Sequence, residues 1–177
     1  MIYGHSCAGK SSVVDILMSR HENLFKVSTD KIKWLISKYE WKKDSKVVSE
    51  LTTSLAKKAL SKEYSLIVES LGIHFQKRNI KEFKSLAKRN KIKFVEVNIE
   101  SPFHIAKERF NERLKETKLK KVKIFDRSQK RFKEMYDMYE TYKKDREKKI
   151  PTFDTSKLSP RQIAKEIEKL IFPRKTL

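Results

Sequence analysis

Cysteine is almost missing from this chain. Cys7 stands alone among 177 residues, so no internal disulfide framework can form. Only three glycines and four prolines break the sequence, which predicts a fold rich in helix with few long loops. No apolar run approaches the ~18 residues that cross a bilayer, and no charged region followed by an apolar stretch and a small-residue cleavage site opens the chain. These absences predict a soluble, cytoplasmic protein with no membrane partner. His5, His21, His74 and His104 show no metal-ligand spacing, and with one cysteine a zinc site is not expected. Negative charge is also short: 23 Asp+Glu face 43 Lys+Arg, giving a formal +20. A polyanionic partner explains that excess, because neutralised phosphates release condensed counterions. A lysine-biased proteome explains it equally, so charge alone names no partner.

What is present is enough for one core. Hydrophobic residues make up 38% of the chain and aromatic residues 10%, which suits a single domain over 1–177. Short apolar runs alternate with amphipathic stretches, the pattern of a parallel sheet covered by helices. Met1-Ile2-Tyr3 reads as a strand, short enough to suggest that residues are missing upstream of this start. Further strands are expected at 24–28, 65–69, 93–99 and 150–153. Helices are expected at 11–20, 31–39, 44–61, 79–90, 101–115, 126–148 and 159–172, the fifth opened by Ser101-Pro102 and the last by Ser159-Pro160. In the helix over 44–61, Val47, Val48, Leu51, Leu55 and Leu60 are the core candidates. Residues 117–125 read as basic and irregular.

Gly4-His5-Ser6-Cys7-Ala8-Gly9-Lys10-Ser11 matches G-x-x-x-x-G-K-[ST], between a strand and an amphipathic helix as that motif requires. Its glycines let successive N–H groups converge on one oxyanion, and the following helix adds the positive end of its dipole. Lys10 is expected to reach the β- and γ-phosphates of a nucleotide, and Ser11, followed by Ser12, to ligate Mg²⁺. Cys7 offers its backbone to the phosphate. The base-reading motif N-K-x-D of GTPases is not met, since Asn90-Lys91-Ile92-Lys93 ends in lysine. ATP is therefore the expected nucleotide.

Other short segments surround this loop in the sequence. Asp30, in Val27-Ser28-Thr29-Asp30-Lys31-Ile32-Lys33, falls at the carboxyl end of the second strand, where open α/β sheets bind ligands. There it serves as a general base, as the N-cap of the next helix, or as both. Glu69 ends Leu66-Ile67-Val68-Glu69, either as a Mg²⁺ or acceptor-orienting carboxylate or as a solvated acid. Arg109 and Arg113 share one helix face ahead of Lys118, Lys120, Lys121 and Lys123. They form either an active-site lid or a solvated face partnered by Glu108 and Glu112. Tyr136, Tyr139 and Tyr142 are spaced for packing against the core. Phe153-Asp154-Thr155-Ser156 reads as a strand-to-helix turn.

Together these segments resemble the small P-loop kinases grouped around phage polynucleotide kinase, zeta-toxin-type kinases and chloramphenicol phosphotransferase. The resemblance implies a P-loop NTPase fold of the kinase type, an α/β three-layer sandwich with a five-stranded parallel sheet and a helical lid at about 109–131. It implies that Asp30 is the general base of a D-x-x-R motif, with Lys33 standing where arginine is usual. It further implies that Arg109 and Arg113 close over ATP from the lid. Residues 131–139 resemble the post-lid helix of phage-type polynucleotide kinases, and the resemblance implies that Asp154 and Thr155 lie beside the adenine.

The expected reaction is in-line transfer of the γ-phosphate of ATP to a hydroxyl, with Asp30, Lys10, Arg109 and Arg113 catalytic. Residues 4–12, Asp154 and Thr155 hold the nucleotide, Asp30, Lys33 and Glu69 face the acceptor, and Ser11 and Glu69 hold Mg²⁺. The leading acceptor is a polynucleotide 5′-hydroxyl of DNA or RNA. A nucleoside, nucleotide or antibiotic is the alternative, as is a nucleic-acid-binding ATPase without kinase activity. Oligomeric state is left open.

Overall fold

A computed structural model describes residues 1–71, 77–120, 128–144 and 150–172. Of the positions singled out above, His74, Lys121, Lys123 and the stretch of the lid over 121–127 lie outside these, as does 145–148 at the end of the expected sixth helix.

Twelve elements alternate along the described residues: β1 (Ile2–Tyr3), α1 (Lys10–Arg20), β2 (Leu24–Ser28), α2 (Thr29–Lys33), α3 (Trp41–Leu60), β3 (Ser65–Glu69), α4 (Lys77–Arg89), β4 (Val97–Glu100), α5 (Phe103–Lys120), α6 (Gln129–Lys144), β5 (Thr152–Asp154) and α7 (Pro160–Ile171). The five strands form one parallel sheet in the order β2-β3-β1-β4-β5. This is the expected three-layer α/β sandwich. Because the order reverses direction beside β1, the carboxyl ends of β1, β2 and β3 open on one crevice, the place where such sheets take ligands.

Alternation along the strands builds two cores. On one face Ile2, Ile67, Val97 and Ile99 pack against Val13, Val14 and Leu17 of α1 and Ile163, Ala164 and Ile167 of α7. On the other, Val27 and Val68 meet Ile32, Val48 and Ala56 together with Phe83 and Leu86 of α4. Adjacent residues Ile67 and Val68 thus serve opposite faces, as the period of two demands. A third cluster joins Cys7 of the loop to Ala106 and Phe110 of α5 and Phe132 of α6. It seats the α5–α6 pair directly on the loop between β1 and α1.

Several expected boundaries and contacts shift. In α3, Val47, Leu51 and Leu55 are exposed rather than core, while Val48, Thr52, Ala56 and Ala59 face inward. Small residues let α3 approach the sheet closely. Thr52 joins that stripe because its hydroxyl is satisfied within the helix, donating to Val48 O at 2.6 Å. Strand β4 is shorter than the expected 93–99, because its rungs with β1 are Ile2↔Val97 and Tyr3↔Asn98 and residues 93–96 extend past them. Helix α2 ends at Lys33 and tightens into turns, with Leu35 N–H donating to Ile32 O and Ile36 N–H to Lys33 O. Helix α5 begins at Phe103, with Pro102 O accepting from Ala106 N–H, so Ser101 is not its cap. The same helix runs on through residues 117–120, which were expected to be irregular. The cap of α7 is as expected: Ser159 and Gln162 form a reciprocal capping box with Pro160 at the first position.

Candidate active site

The loop between β1 and α1 has the backbone that its glycines were expected to permit. Gly4 has φ 153°, and a Cβ there would stand 2.0 Å from Ile99 O. Gly9, the N-cap of α1, has φ 90° and lies against the Thr155 methyl. Cys7 takes φ 61°, a left-handed conformation uncommon outside glycine, and its side chain is buried under α5 and α6. Lys10 curls back over this loop, donating to Gly4 O at 2.9 Å and His5 O at 2.8 Å. Burial pulls its pKa below the ordinary lysine value, opposed by the nearby charges of Glu69 and Asp30.

Ser11 and Glu69 meet although 58 residues separate them. The Ser11 hydroxyl donates to Glu69 Oε1 at 2.7 Å. Lys26, which the sequence reading passed over, lies 3.6 Å from Glu69 Oε2 and 3.2 Å from Asp15. Its signal was a cation in a half-buried strand two residues before Ser28. The described residues hold no group of three or more His, Cys, Asp or Glu arranged for a metal. One hydroxyl and one carboxylate are a donor set that fits Mg²⁺, which keeps most positions for water and phosphate oxygens. Ser12 is exposed on the first turn of α1.

Asp30 sits in the first turn of α2, past the Ser28 N-cap, so it is not the cap that its position had also suggested. Its exposed carboxylate pairs with Lys33 Nζ at 2.7 Å. The crevice walls withhold some hydration and raise its pKa. The Lys33 ion pair and hydrogen bond, then Lys10 and Arg113, outweigh this and hold it below the usual carboxylate value. Lys10, Asp30, Lys33, Glu69 and Arg113 therefore share one electrostatic neighbourhood.

Arg109 occupies a different corner. Its guanidinium donates to Thr155 Oγ1 at 2.8 Å and to Thr155 O at 3.1 Å, with Cys7 O at 3.4 Å. The Thr155 hydroxyl in turn lies 3.0 Å from Ala8 O and 3.2 Å from Glu100 O. Thr155 thus knots the turn after β5 to the phosphate loop, and Arg109 fastens the knot. Asp154 caps its own turn, accepting from Ser156 N–H at 2.8 Å and Ser156 Oγ at 2.7 Å; some loss of hydration raises its pKa, and the Ser156 hydrogen bonds outweigh that and lower it.

His5 has a structural part that the motif did not reveal. Ser101 N–H can only donate, so His5 Nε2 accepts that bond at 3.0 Å, and Nδ1–H donates to Ser6 O at 2.7 Å. Its ring packs at a tilt against Tyr136, 4.6 Å between centroids, and edge-on to Tyr139 at 5.3 Å. Burial lowers its pKa to about 4, leaving a neutral imidazole at pH 7. Tyr136 and Tyr139 pack as their spacing suggested, Tyr139 fully buried.

Among the described residues, cavities lie on either side of the sheet, and two of them bear on the site. The larger, of about 610 Å³, is mainly apolar and lies at the amino ends of the strands, bounded by Leu24, Ser65 and Ile171, away from the phosphate loop. The smaller, of about 370 Å³, is bounded by Thr29 and Lys33 and so adjoins Asp30. No described helix is long and apolar enough to cross a membrane.

Comparison with known proteins agrees with this architecture. An inferred kinase from Chloroflexus aurantiacus superposes with a TM-score of 0.66 at 16% identity, covering 95% of each chain. The tunicamycin resistance protein of Deinococcus radiodurans gives 0.60 at 14% identity over 97% of this chain and 93% of that one. Shikimate kinase from Acinetobacter baumannii, solved with shikimate, gives 0.60 at 18% identity over 99% and 93%. No curated protein matches the sequence. These likenesses establish the kinase-type P-loop fold; the expected grouping with phage polynucleotide kinase finds no specific counterpart among them. The AAA domain family matches residues 1–141, and the chain belongs to it.

Proposed function

We propose that this protein is an ATP-dependent kinase that transfers the γ-phosphate to an acceptor hydroxyl. One observation carries the reading: the crevice at the carboxyl ends of β1, β2 and β3 joins a phosphate loop, the Ser11–Glu69 pair and a carboxylate held ionised at Asp30. The loop N–H groups and the α1 dipole take the phosphates. Lys10 exchanges its two loop carbonyls for phosphate oxygens and moves its charge toward the transferring group. Ser11 and Glu69 are the residues that would hold Mg²⁺, whose charge would offset that of the phosphate oxygens.

Asp30 receives the acceptor proton. The new bond joins the acceptor oxygen to the γ-phosphorus, the bond to the β-bridging oxygen breaks, and ADP leaves. A loose transition state needs little basic strength early on, so a carboxylate with a low pKa suffices. Arg113 adds positive charge near Asp30 and Lys10. Arg109 supports the loop and the adenine side through Thr155, and Asp154 shapes that turn.

Against a small-molecule acceptor, the net charge of +20 keeps one rival, a polynucleotide 5′-hydroxyl of DNA or RNA. Such a substrate should lose affinity steeply as salt rises. The kinase reading is tested by labelled phosphate transfer from ATP with Asp30→Ala and Lys10→Ala. Both variants should lose transfer, and full activity in either refutes the role assigned to that residue.

A further inference from the structure

Resting on the kinase reading, we infer that the acceptor is a small, uncharged, polyhydroxylated molecule of sugar, cyclitol or nucleoside size, seated between α2, α3 and α4. The seat is the cavity of about 370 Å³ that shares Lys33 with Asp30. That volume is at the small end of ligand sites, too small for more than one nucleoside.

Its lining is unusual for a ligand pocket in carrying many polar side chains. Thr29, Ser45, Ser49, Thr53 and Ser54 present hydroxyls, and Asn79 an amide, while Val48 is the aliphatic residue among the lining. Thr53 and Asn79 are buried, so their polar groups are fixed by the fold. Ser49 Oγ donates to Asn79 Oδ1, which orients the amide and leaves Nδ2 as the donor for an occupant. Thr53 Oγ1 reaches Glu82 Oε2 at 3.4 Å. Neutral donors and acceptors at this density match hydroxyl groups, each of which donates once and accepts twice.

The charges of the wall cancel in pairs. Lys57 meets Glu82 at 3.0 Å, Lys46 meets Glu50 at 3.9 Å, and Lys33 meets Asp30 at 2.7 Å. An ionised acceptor would have to break one of these pairs and leave a carboxylate facing its own charge. A neutral polyol displaces none of them. Among the described residues, the same pairing leaves no cation of this wall over for the phosphates of a polynucleotide.

The test follows labelled phosphate from ATP onto myo-inositol, glucose and adenosine, against glucose 6-phosphate, AMP and a 5′-hydroxyl oligonucleotide. Amide exchange over residues 45–57 is followed in parallel with the same six compounds at millimolar concentration. The expected result is label on a neutral compound together with slowed exchange over 45–57. Ser49→Val should then raise the acceptor KM about tenfold, the worth of one hydrogen bond, with the effect on KM rather than kcat and none on the KM for ATP. Label confined to the anionic compounds or the oligonucleotide overturns the inference and leaves the kinase standing. So does an exchange pattern that no neutral compound alters, or a Ser49→Val enzyme with unchanged acceptor KM. Absence of Mg²⁺-dependent ATP affinity instead overturns the kinase reading itself.

Discussion

Thr155→Val isolates the knot that ties the nucleotide loop to the far side of the crevice. Valine keeps the volume and the methyl that touches Gly9, and removes only the hydroxyl. Two interactions go with it: the bond received from Arg109 at 2.8 Å and the one given to Ala8 O or Glu100 O. Ala8 is fully buried, so its carbonyl loses a partner that water cannot replace, at a cost of about 1–3 kcal/mol. The guanidinium is not stranded, since it keeps Thr155 O at 3.1 Å and Cys7 O at 3.4 Å. The net loss should be about 2 kcal/mol, a factor of about 30 in the folding equilibrium. With a urea slope of about 2 kcal/mol/M, the unfolding midpoint should fall by about 1 M at unchanged slope. Affinity for ADP, read by calorimetry, should weaken severalfold because the loop amides are held less firmly. A cycle with Arg109→Met should show coupling of about 1 kcal/mol. A midpoint unchanged within error, together with additive single effects, would refute the claim that this hydroxyl joins the two halves of the site.

Three further outcomes are expected. Gly4→Ala should prevent folding or nucleotide binding, because its Cβ would meet the Ile99 carbonyl at 2.0 Å and its φ of 153° suits only glycine; thermal unfolding and ADP titration read both. Buried His5 has a pKa of about 4 against about 6.5 unfolded, so stability is complete above pH 6.5 and falls as pH drops toward 4. The loss should be about 3 kcal/mol over that window, and His5→Gln should flatten the slope of stability against pH there. Lys33→Met removes the main cation that lowers the Asp30 pKa and leaves the partial loss of hydration, which raises it. The acid limb of kcat/KM should move to higher pH, and an unmoved limb would separate Asp30 from the proton transfer.

The fold was legible because each element carries its own periodicity. Ile67 and Val68 face opposite cores, and the Gly4–Ser11 turn could be placed from its residues alone. The sequence misled where two apolar stripes compete on one helix. In α3 the larger residues Val47, Leu51 and Leu55 look like the core, yet the stripe with Val48, Thr52 and Ala56 wins because it lets the helix come closer. Hydropathy scores Thr52 as polar and takes no account of the bond its hydroxyl makes to Val48 O.

The site divides along a similar line. What a motif can name is chemistry that local backbone geometry enforces: Gly4, Gly9, Lys10 and Ser11 lie within one turn, and the turn needs those residue types. What it cannot name is which distant group completes the chemistry. Ser11 finds Glu69 across 58 residues, Arg109 finds Thr155 across 46, and Thr155 finds Ala8 across 147. Each of these contacts depends on strand order, since β3 and β4 flank β1 and β5 lies beside β4. Exchange two strands in that order and the same residues no longer meet, although no local pattern changes. For this reason Arg109, grouped with Arg113 by helix spacing, shares its face but meets different partners. Arg113 stands in the field of Asp30 and Lys10, while Arg109 is occupied by the turn after β5. Spacing on a helix fixes which side chains point the same way. The sheet decides what they find there.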